Sequence, residues 1–166
     1  MTCFEIHHVV GLEETSVVGN VYFTNYLLWQ GHCRERFLKD HCPEVLTQLE
    51  RREIAFFTKS CACEWRGEWG FSGLDDVVIR MRLARFRGGR MWLEFGYVHA
   101  GRPTEVVATG TQEVHCKARR GELWMPACFP EPLVRALIPF ADGEELRSSL
   151  QEALEYVPLV PVVNRA

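Results

Sequence analysis

The sequence predicts an α+β fold in which a five-stranded antiparallel sheet wraps around one long central helix. Three observations predict it: one strand pattern opens the chain, one long helical pattern follows, and the next stretch contains only strand patterns joined by short turns. Strands joined in this way pair antiparallel, and their sheet needs one face covered. Since only one long helix is available, the economical arrangement curls the sheet around it.

The helices and the first strand follow from periodicity and from proline. Residues 3–10 alternate between apolar and polar side chains, as a half-buried strand does. The strongest helical pattern covers about residues 21–41 and ends before Pro43, because a helix interior does not tolerate proline. We expect a short helical piece over residues 44–52 and an acidic helix near residues 142–155.

The remaining strands are predicted from residue 53 onward. Residues 54–65 are rich in aromatic, β-branched and small side chains, and residues 77–87 alternate with one change of phase near Ala84, which indicates a β-bulge. The Gly88-Gly89 pair is a hairpin signal between that strand and the next, over residues 91–97. A fifth strand is expected over residues 104–116.

Composition bounds the class of protein. The 166 residues are 47% hydrophobic and 25% charged, as in soluble globular proteins. We expect one domain over residues 1–166, with its core over about 3–118 and a C-terminal helical extension over about 130–166. We find neither a membrane-spanning run nor a signal-peptide pattern, and the net charge of −3 disfavours nucleic acid, so we expect a cytoplasmic protein.

The seven cysteines are scattered, and no pair has C-x-x-C spacing. We therefore expect free thiols in a reducing compartment, no metal and no cofactor. Cys61 and Cys63 would share one face of a strand, which suits half a metal site, but small buried side chains are the more common use of such cysteines.

The long helix carries a cation inside its apolar stripe. The stripe consists of Phe23, Tyr26, Leu27, Gln30, Arg34, Phe37 and Leu38. A guanidinium there is costly unless it is paired or used. One interpretation is that Arg34 snorkels to the rim or meets a buried carboxylate. The other is a fixed cation at the end of an acyl-binding slot, where its donors hold a thioester or β-carbonyl oxygen; Tyr26 adds a hydroxyl to the same stripe.

The segment before the helix is a candidate oxyanion site. Gly19 permits a close backbone approach that a side chain would block. The amides of Asn20, Val21 and Tyr22 come at the predicted start of the helix, where free N–H groups and the helix dipole favour negative charge.

The run from Glu13 to Glu35, EETSVVGNVYFTNYLLWQGHCRE, resembles the signature of hot-dog-fold thioesterases related to 4-hydroxybenzoyl-CoA thioesterase. It looks most like the branch from enediyne polyketide clusters, in which G-N-V-Y-F-T-N-Y-L-x-W-Q-G-x-C-R-E is characteristic. Residues 61–64 (CACE) and 78–83 (VIRMRL) look like the same branch. The resemblance covers most of residues 4–118 and implies the hot-dog fold. It leads us to add Gln30, Cys63 and Glu64 as candidate substrate-binding residues.

One position departs from both patterns. In 4-hydroxybenzoyl-CoA thioesterases an aspartate that acts as nucleophile or base stands ten residues before the motif tyrosine, and the enediyne branch generally has asparagine there; this chain has Ser16. A serine without an evident base is a poor nucleophile. We assign Ser16 a hydrogen-bonding role, orienting water or the substrate carbonyl, and it has the alternative role of closing a turn. The nearest carboxylates, Glu13, Glu14 and Glu64, do not stand at the acidic position.

The resemblance implies hydrolysis of a β-keto or β-hydroxy polyenyl thioester on the acyl-carrier domain of an iterative polyketide synthase. The amides near Gly19 and Asn20 would bind the oxyanion, and Arg34, oriented by Tyr26 and Ser16, would polarise the carbonyls; decarboxylation to a methyl ketone could follow. The alternatives are an acyl-CoA thioesterase of general metabolism and a non-catalytic acyl-binding module.

Partners are implied as well. Hot-dog domains bury their sheet edges in dimers and often tetramers, so we expect a homo-oligomer. Two basic groups are either solvated strand faces or a landing patch for an acidic carrier domain. They are Arg80, Arg82, Arg85, Arg87 and Arg90, and Lys117, Arg119 and Arg120.

Overall fold

One antiparallel sheet and one 19-residue helix form the frame of the molecule. The computed structural model describes residues 2–67 and 70–155. Its strands are β1 (Phe4–Val9), β2 (Ile54–Trp65), β3 (Asp76–Arg87), β4 (Arg90–His99), β5 (Arg102–Arg120) and β6 (Leu123–Pro126). Its helices are α1 (Phe23–His41), α2 (Pro43–Glu50), α3 (Glu131–Leu137) and α4 (Glu144–Glu155). The predicted α+β class is confirmed.

The sheet runs in the order β1-β3-β4-β5-β2, and β6 pairs with the end of β5. The β-bulge predicted near Ala84 is present, because the β3–β4 register shifts between Leu83 and Arg85. β6 was not predicted; it has only four residues, too few to show an alternation. It holds the far end of β5 through pairs such as Lys117 with Pro126.

Helix α1 packs its apolar face into the curl of the sheet. Tyr26, Trp29, Cys33 and Phe37 are each at most 1% exposed. The helix begins at Phe23 rather than at residue 21, since the two preceding residues make backbone hydrogen bonds to other segments. The helix ends as expected, at the residue before Cys42.

The C-terminal extension packs on the core. Leu133, Leu137 and Leu150, from α3 and α4, join the buried cluster around Phe37. The sequence did not predict α3, a seven-residue helix with proline in its first turn. Residues 156–166, the end of the expected extension, lie outside the described residues.

Strand β2 forms one edge of the sheet. It pairs with β5 on one side, and in the described chain no strand covers the other. Most of its residues are exposed, including the run 57–62. An exposed edge of this length presents unpaired backbone groups with which a strand of another chain can pair. None of the described helices combines the length and apolarity needed to cross a membrane.

Candidate active site

A cavity of about 370 Å³ lies where the segment before α1 meets the last residues of β2. Five of the predicted site residues line it together: Ser16, Asn20, Val21, Tyr22 and Tyr26. Phe23 and Trp65 complete an aromatic wall. The fold thus joins the pre-helix segment to a strand some forty residues further along the chain, which the sequence alone did not specify.

Ser16 and Asn20 are held by a tight turn. The Ser16 amide donates to Asn20 O at 2.7 Å, and the Gly19 amide donates to Ser16 O at 2.9 Å. The Ser16 hydroxyl donates to Asn20 Oδ1 at 2.6 Å and accepts from the Val18 amide at 3.3 Å. Ser16 therefore closes the turn and orients Asn20, the second of its two expected roles.

Gly19 is required for its backbone conformation. Its φ is +87°, a region that disfavours residues with a Cβ. The space around an added Cβ is open among the described residues. The glycine therefore allows the turn that places Asn20. The expectation that it also permits a close approach of a substrate group stays a prediction.

Two of the three predicted oxyanion donors are occupied. The Val21 amide donates to Phe71 O at 2.7 Å, and the Tyr22 amide donates to Glu14 O at 2.8 Å. These bonds draw the segment against its neighbours and delay the start of the helix, so the prediction was wrong for both amides. Within the described residues, the Asn20 amide alone of the three donates to no protein acceptor.

Tyr26 forms the floor of the cavity. Its hydroxyl accepts from the Phe71 amide at 3.4 Å, and its ring lies edge-on to Trp65 at 5.4 Å. Burial raises the pKa of Tyr26 above its ordinary value. The hydroxyl is therefore neutral at physiological pH and can donate to a substrate oxygen.

Arg34 is a half-buried cation with neutral partners. Its Nη1 donates to Thr58 Oγ1 at 3.0 Å and to Gln112 Oε1 at 3.1 Å. No carboxylate of the described residues pairs with it, so the interpretation as a buried ion pair does not hold. Burial lowers the pKa of Arg34, but a guanidinium stays charged at neutral pH. Its remaining donors are available to a negatively charged oxygen.

Arg34 and Tyr26 do not meet within one chain. They are eight residues apart on α1, which corresponds to about 12 Å along the helix axis. The predicted orientation of Arg34 by Tyr26 and Ser16 is thus corrected: Thr58 and Gln112 orient the guanidinium.

The three other candidates do not line the cavity. Gln30 is fully buried and donates to Ala62 O at 2.9 Å, while its Oε1 has no partner in the described structure. Burial raises the pKa of the Cys63 thiol to about 11, so it is not a nucleophile at neutral pH. Glu64 pairs with Thr109 on the opposite face of the sheet. Gln30 instead links α1 to β2 through this hydrogen bond, because the apolar stripe of the helix packs against the inner face of the sheet.

Glu14 is a residue whose importance the sequence did not reveal. Its carboxylate accepts from Trp29 Nε1 at 2.7 Å and from the Gly11 amide at 2.8 Å, and it lies 2.7 Å from His8 Nε2. Burial alone would raise the pKa of Glu14, but these hydrogen bonds outweigh it, so the pKa is lowered. Glu14 fixes the segment that carries Ser16. Its side-chain partners, His8 and Trp29, come from β1 and α1, so no local pattern reveals them.

Metal ligands are not gathered at this site. Across residues 2–67 and 70–155, no three or more histidine, cysteine, aspartate or glutamate side chains are placed to hold a metal ion. The described residues that line the cavity offer hydroxyl and amide donors, from Ser16, Tyr26 and Asn20.

Comparison with protein-family models gives no match, and neither does comparison with curated protein sequences. Solved structures do match. The dynemicin thioesterase is 41% identical, with a TM-score of 0.79 over 86% of this chain and 99% of that one. A 1,4-dihydroxy-2-naphthoyl-CoA thioesterase from Synechocystis is 17% identical, with a TM-score of 0.71 over 82% and 96%. A gentisyl-coenzyme A thioesterase is 21% identical, with a TM-score of 0.65 over 80% and 98%.

The curled sheet around α1, together with these matches, defines a hot-dog fold. The two CoA thioesterases support that fold alone. At 41% identity over nearly the whole length of the dynemicin thioesterase, this chain belongs to the hot-dog-fold thioesterases, in the branch from enediyne polyketide biosynthesis. It is an enzyme that hydrolyses a thioester, so the non-catalytic alternative is excluded.

Proposed function

We propose that this thioesterase releases a β-keto or β-hydroxy polyenyl chain from the acyl-carrier domain of an iterative enediyne polyketide synthase. The observation that carries the proposal is the half-buried Arg34, whose hydrogen bonds go to Thr58 and Gln112 and to no carboxylate. A cation kept in this state is suited to a substrate rich in carbonyl oxygens. The dynemicin thioesterase, a relative, binds a polyene.

The aromatic wall of the cavity suits a conjugated chain. Tyr22, Phe23, Tyr26 and Trp65 present ring surfaces to the cavity. Flat rings pack well against a flat, conjugated acyl chain, and the polar Tyr26 hydroxyl can hold an oxygen at its end. A volume of about 370 Å³ is at the small end for ligand sites, so it holds part of a long chain.

The proposed chemistry uses water without a nucleophilic residue. Water attacks the thioester carbonyl and forms a tetrahedral intermediate, whose oxyanion is stabilised by the Asn20 amide and the Arg34 guanidinium. Breakdown of this intermediate breaks the C–S bond. The water oxygen ends in the carboxylic acid, and the thiol leaves with a proton. A β-keto acid then loses carbon dioxide to give a methyl ketone, with Arg34 stabilising the intermediate enolate.

The separation of about 12 Å between Tyr26 and Arg34 calls for a second chain. One carbon separates the two carbonyls of a β-keto thioester. In one chain, however, the Tyr26 ring packs on Trp65, whereas the Arg34 guanidinium binds Thr58, seven residues away along β2. We propose a homodimer in which the free edges of β2 pair antiparallel, with further assembly to a tetramer. Because antiparallel strands run in opposite directions, the part of β2 that contacts Arg34 in one chain then lies beside the part of β2 that carries Trp65 in the other.

The test is co-expression with a cognate synthase and identification of the released product by mass spectrometry. Purified enzyme is then given the same acyl group on the carrier domain and on CoA, and acyl loss from the intact carrier is followed. We expect turnover of the carrier thioester and release of a polyene acid or methyl ketone. Equal or better turnover of the CoA thioester would support the acyl-CoA thioesterase of general metabolism.

A further inference from the structure

The outer face of the sheet, opposite α1, divides into two halves. In one half the arginines are neutralised. Arg80 donates to Glu5 at 2.8 Å, and Arg82 donates to Glu94 at 2.6 Å. A cavity of about 410 Å³ lies over this half. Since these two arginines are paired, the landing patch expected from the sequence does not include them.

In the other half the cations rest on rings. The guanidinium of Arg85 lies 4.9 Å from the centre of the Trp92 ring, and Lys117 Nζ lies 4.5 Å from that of Phe57. Strand pairing places Arg87 opposite Arg90 on the same face. A cation on a neutral aromatic ring leaves a net positive charge at the surface, whereas a cation paired with a carboxylate does not.

This half carries an excess of positive charge. We name it the basic patch and define it by Arg85, Arg87, Arg90, Lys117 and Arg119. Glu113, the acidic residue at the outward positions of these paired segments, is bound to His115 at 2.6 Å. The flanking turns and the last residue of β5 add Arg51, Arg52 and Arg120 against Glu53 and Glu122. Because the whole chain has a net charge of −3, this excess of positive charge is a property of the basic patch and not of the protein as a whole.

The charge decides which occupant fits. A second copy seated symmetrically on the basic patch would bring like charges together, which is unfavourable. An acidic protein surface fits, because opposite potentials steer and orient an encounter. The exposed ring of Phe57 and the half-buried ring of Trp124, 6.3 Å apart, offer apolar contact beside the charges.

We infer that the basic patch is the docking surface for the acidic carrier domain that delivers the thioester; this inference rests on the proposed function. The patch adjoins the site. Phe57 lies on the outer face at the free edge of the sheet, and the next residue, Thr58, contacts Arg34 on the inner face. A carrier docked here stands over the same stretch of β2 that contacts the guanidinium on the inner face of the sheet.

The test compares the charge-reversal variant R87E/R90E with K39E/R102E, which makes the same charge change on exposed positions outside the patch. Each is assayed on a carrier-bound thioester and on a small soluble thioester. We expect R87E/R90E to lose tenfold or more in kcat/KM on the carrier, chiefly through KM, with less than twofold change on the small thioester. K39E/R102E should change neither, and added salt should slow only the carrier reaction of the wild type.

The outcomes separate the two proposals. Full carrier activity in R87E/R90E, or an equal loss on both substrates by a folded variant, would overturn docking at the basic patch and leave the proposed function standing. Failure of the wild type on every carrier thioester, with good turnover of CoA thioesters, would overturn the proposed function itself.

Discussion

At the scale of single residues, the two most informative groups are charges that bind at least one partner from another element of the fold. Arg34 rests on Thr58 and Gln112, and Glu14 binds Trp29 and Gly11. The sequence identified Arg34 because its position contradicts the apolar stripe of its helix. It did not identify Glu14, because a glutamate in a polar segment contradicts nothing. A local sequence pattern therefore reveals a charge in an apolar stripe, such as Arg34. It does not reveal a charge in a polar segment, such as Glu14, whose partners come together only on folding.

Glu14→Gln should lower the free energy of unfolding by about 1–3 kcal/mol at neutral pH, since a part-buried charged acceptor is lost. The folded pKa of Glu14 is lowered, so its contribution is complete above the unfolded pKa of about 4.3 and is lost as pH falls through the folded value. Urea unfolding from pH 7 to pH 3 measures both effects. The wild type should lose more stability on acidification than the variant. The control is Glu13→Gln, at an exposed neighbour, and an equal effect of the two variants would contradict this role.

At the scale of elements, long periodic segments were predictable and short or tertiary features were not. The strands β1–β5 span six residues or more and α1 has 19 residues, whereas β6 has only four residues and α3 only about two turns. Which face of a strand meets the helix depends on register, and for this reason the sequence did not show that Glu64 points away from α1 or that Gln30 binds the backbone of β2. The cluster of Ser16, Asn20 and Tyr26 was predictable because its members lie close in sequence.

The contact between α1 and β5 gives a prediction at this scale. A Cβ at Gly110 would collide with Gln30 Nε2, and Gln30 is fully buried. Gly110→Ala should therefore lower the free energy of unfolding by about 1–3 kcal/mol through overpacking. Gly96→Ala is the control, because a Cβ there meets only Arg80 Cβ at 4.0 Å, and it should be well tolerated. Equal stability of the two variants in urea unfolding would show that the close contact is not rigid.

At the scale of the whole molecule, the open edge of β2 and the separation of Tyr26 from Arg34 both favour a homodimer. Both are explained if two chains share a continuous sheet and each completes the other's site. The basic patch lies on the outer face and stays clear of that pairing along the edge.

The proposed pairing predicts that light scattering gives at least twice the 19.2 kDa chain mass at micromolar concentration. Mixing an inactive Arg34 variant with an inactive Tyr26 variant should restore part of the activity, because mixed dimers contain one site with both residues intact. A monomeric, fully active enzyme, or mixed dimers without any recovery, would contradict the shared site.

The central claim is that the Arg34 guanidinium acts on the substrate carbonyls. The most direct measurement is the turnover of a small thioester by Arg34→Met, beside the free energy of unfolding of the same variant. Removing a half-buried charge without an acidic partner should leave stability within about 1 kcal/mol of the wild type or raise it. Turnover should fall by about 10²–10³, the usual cost of losing one oxyanion donor. A folded Arg34→Met enzyme that keeps most of its activity would contradict the claim.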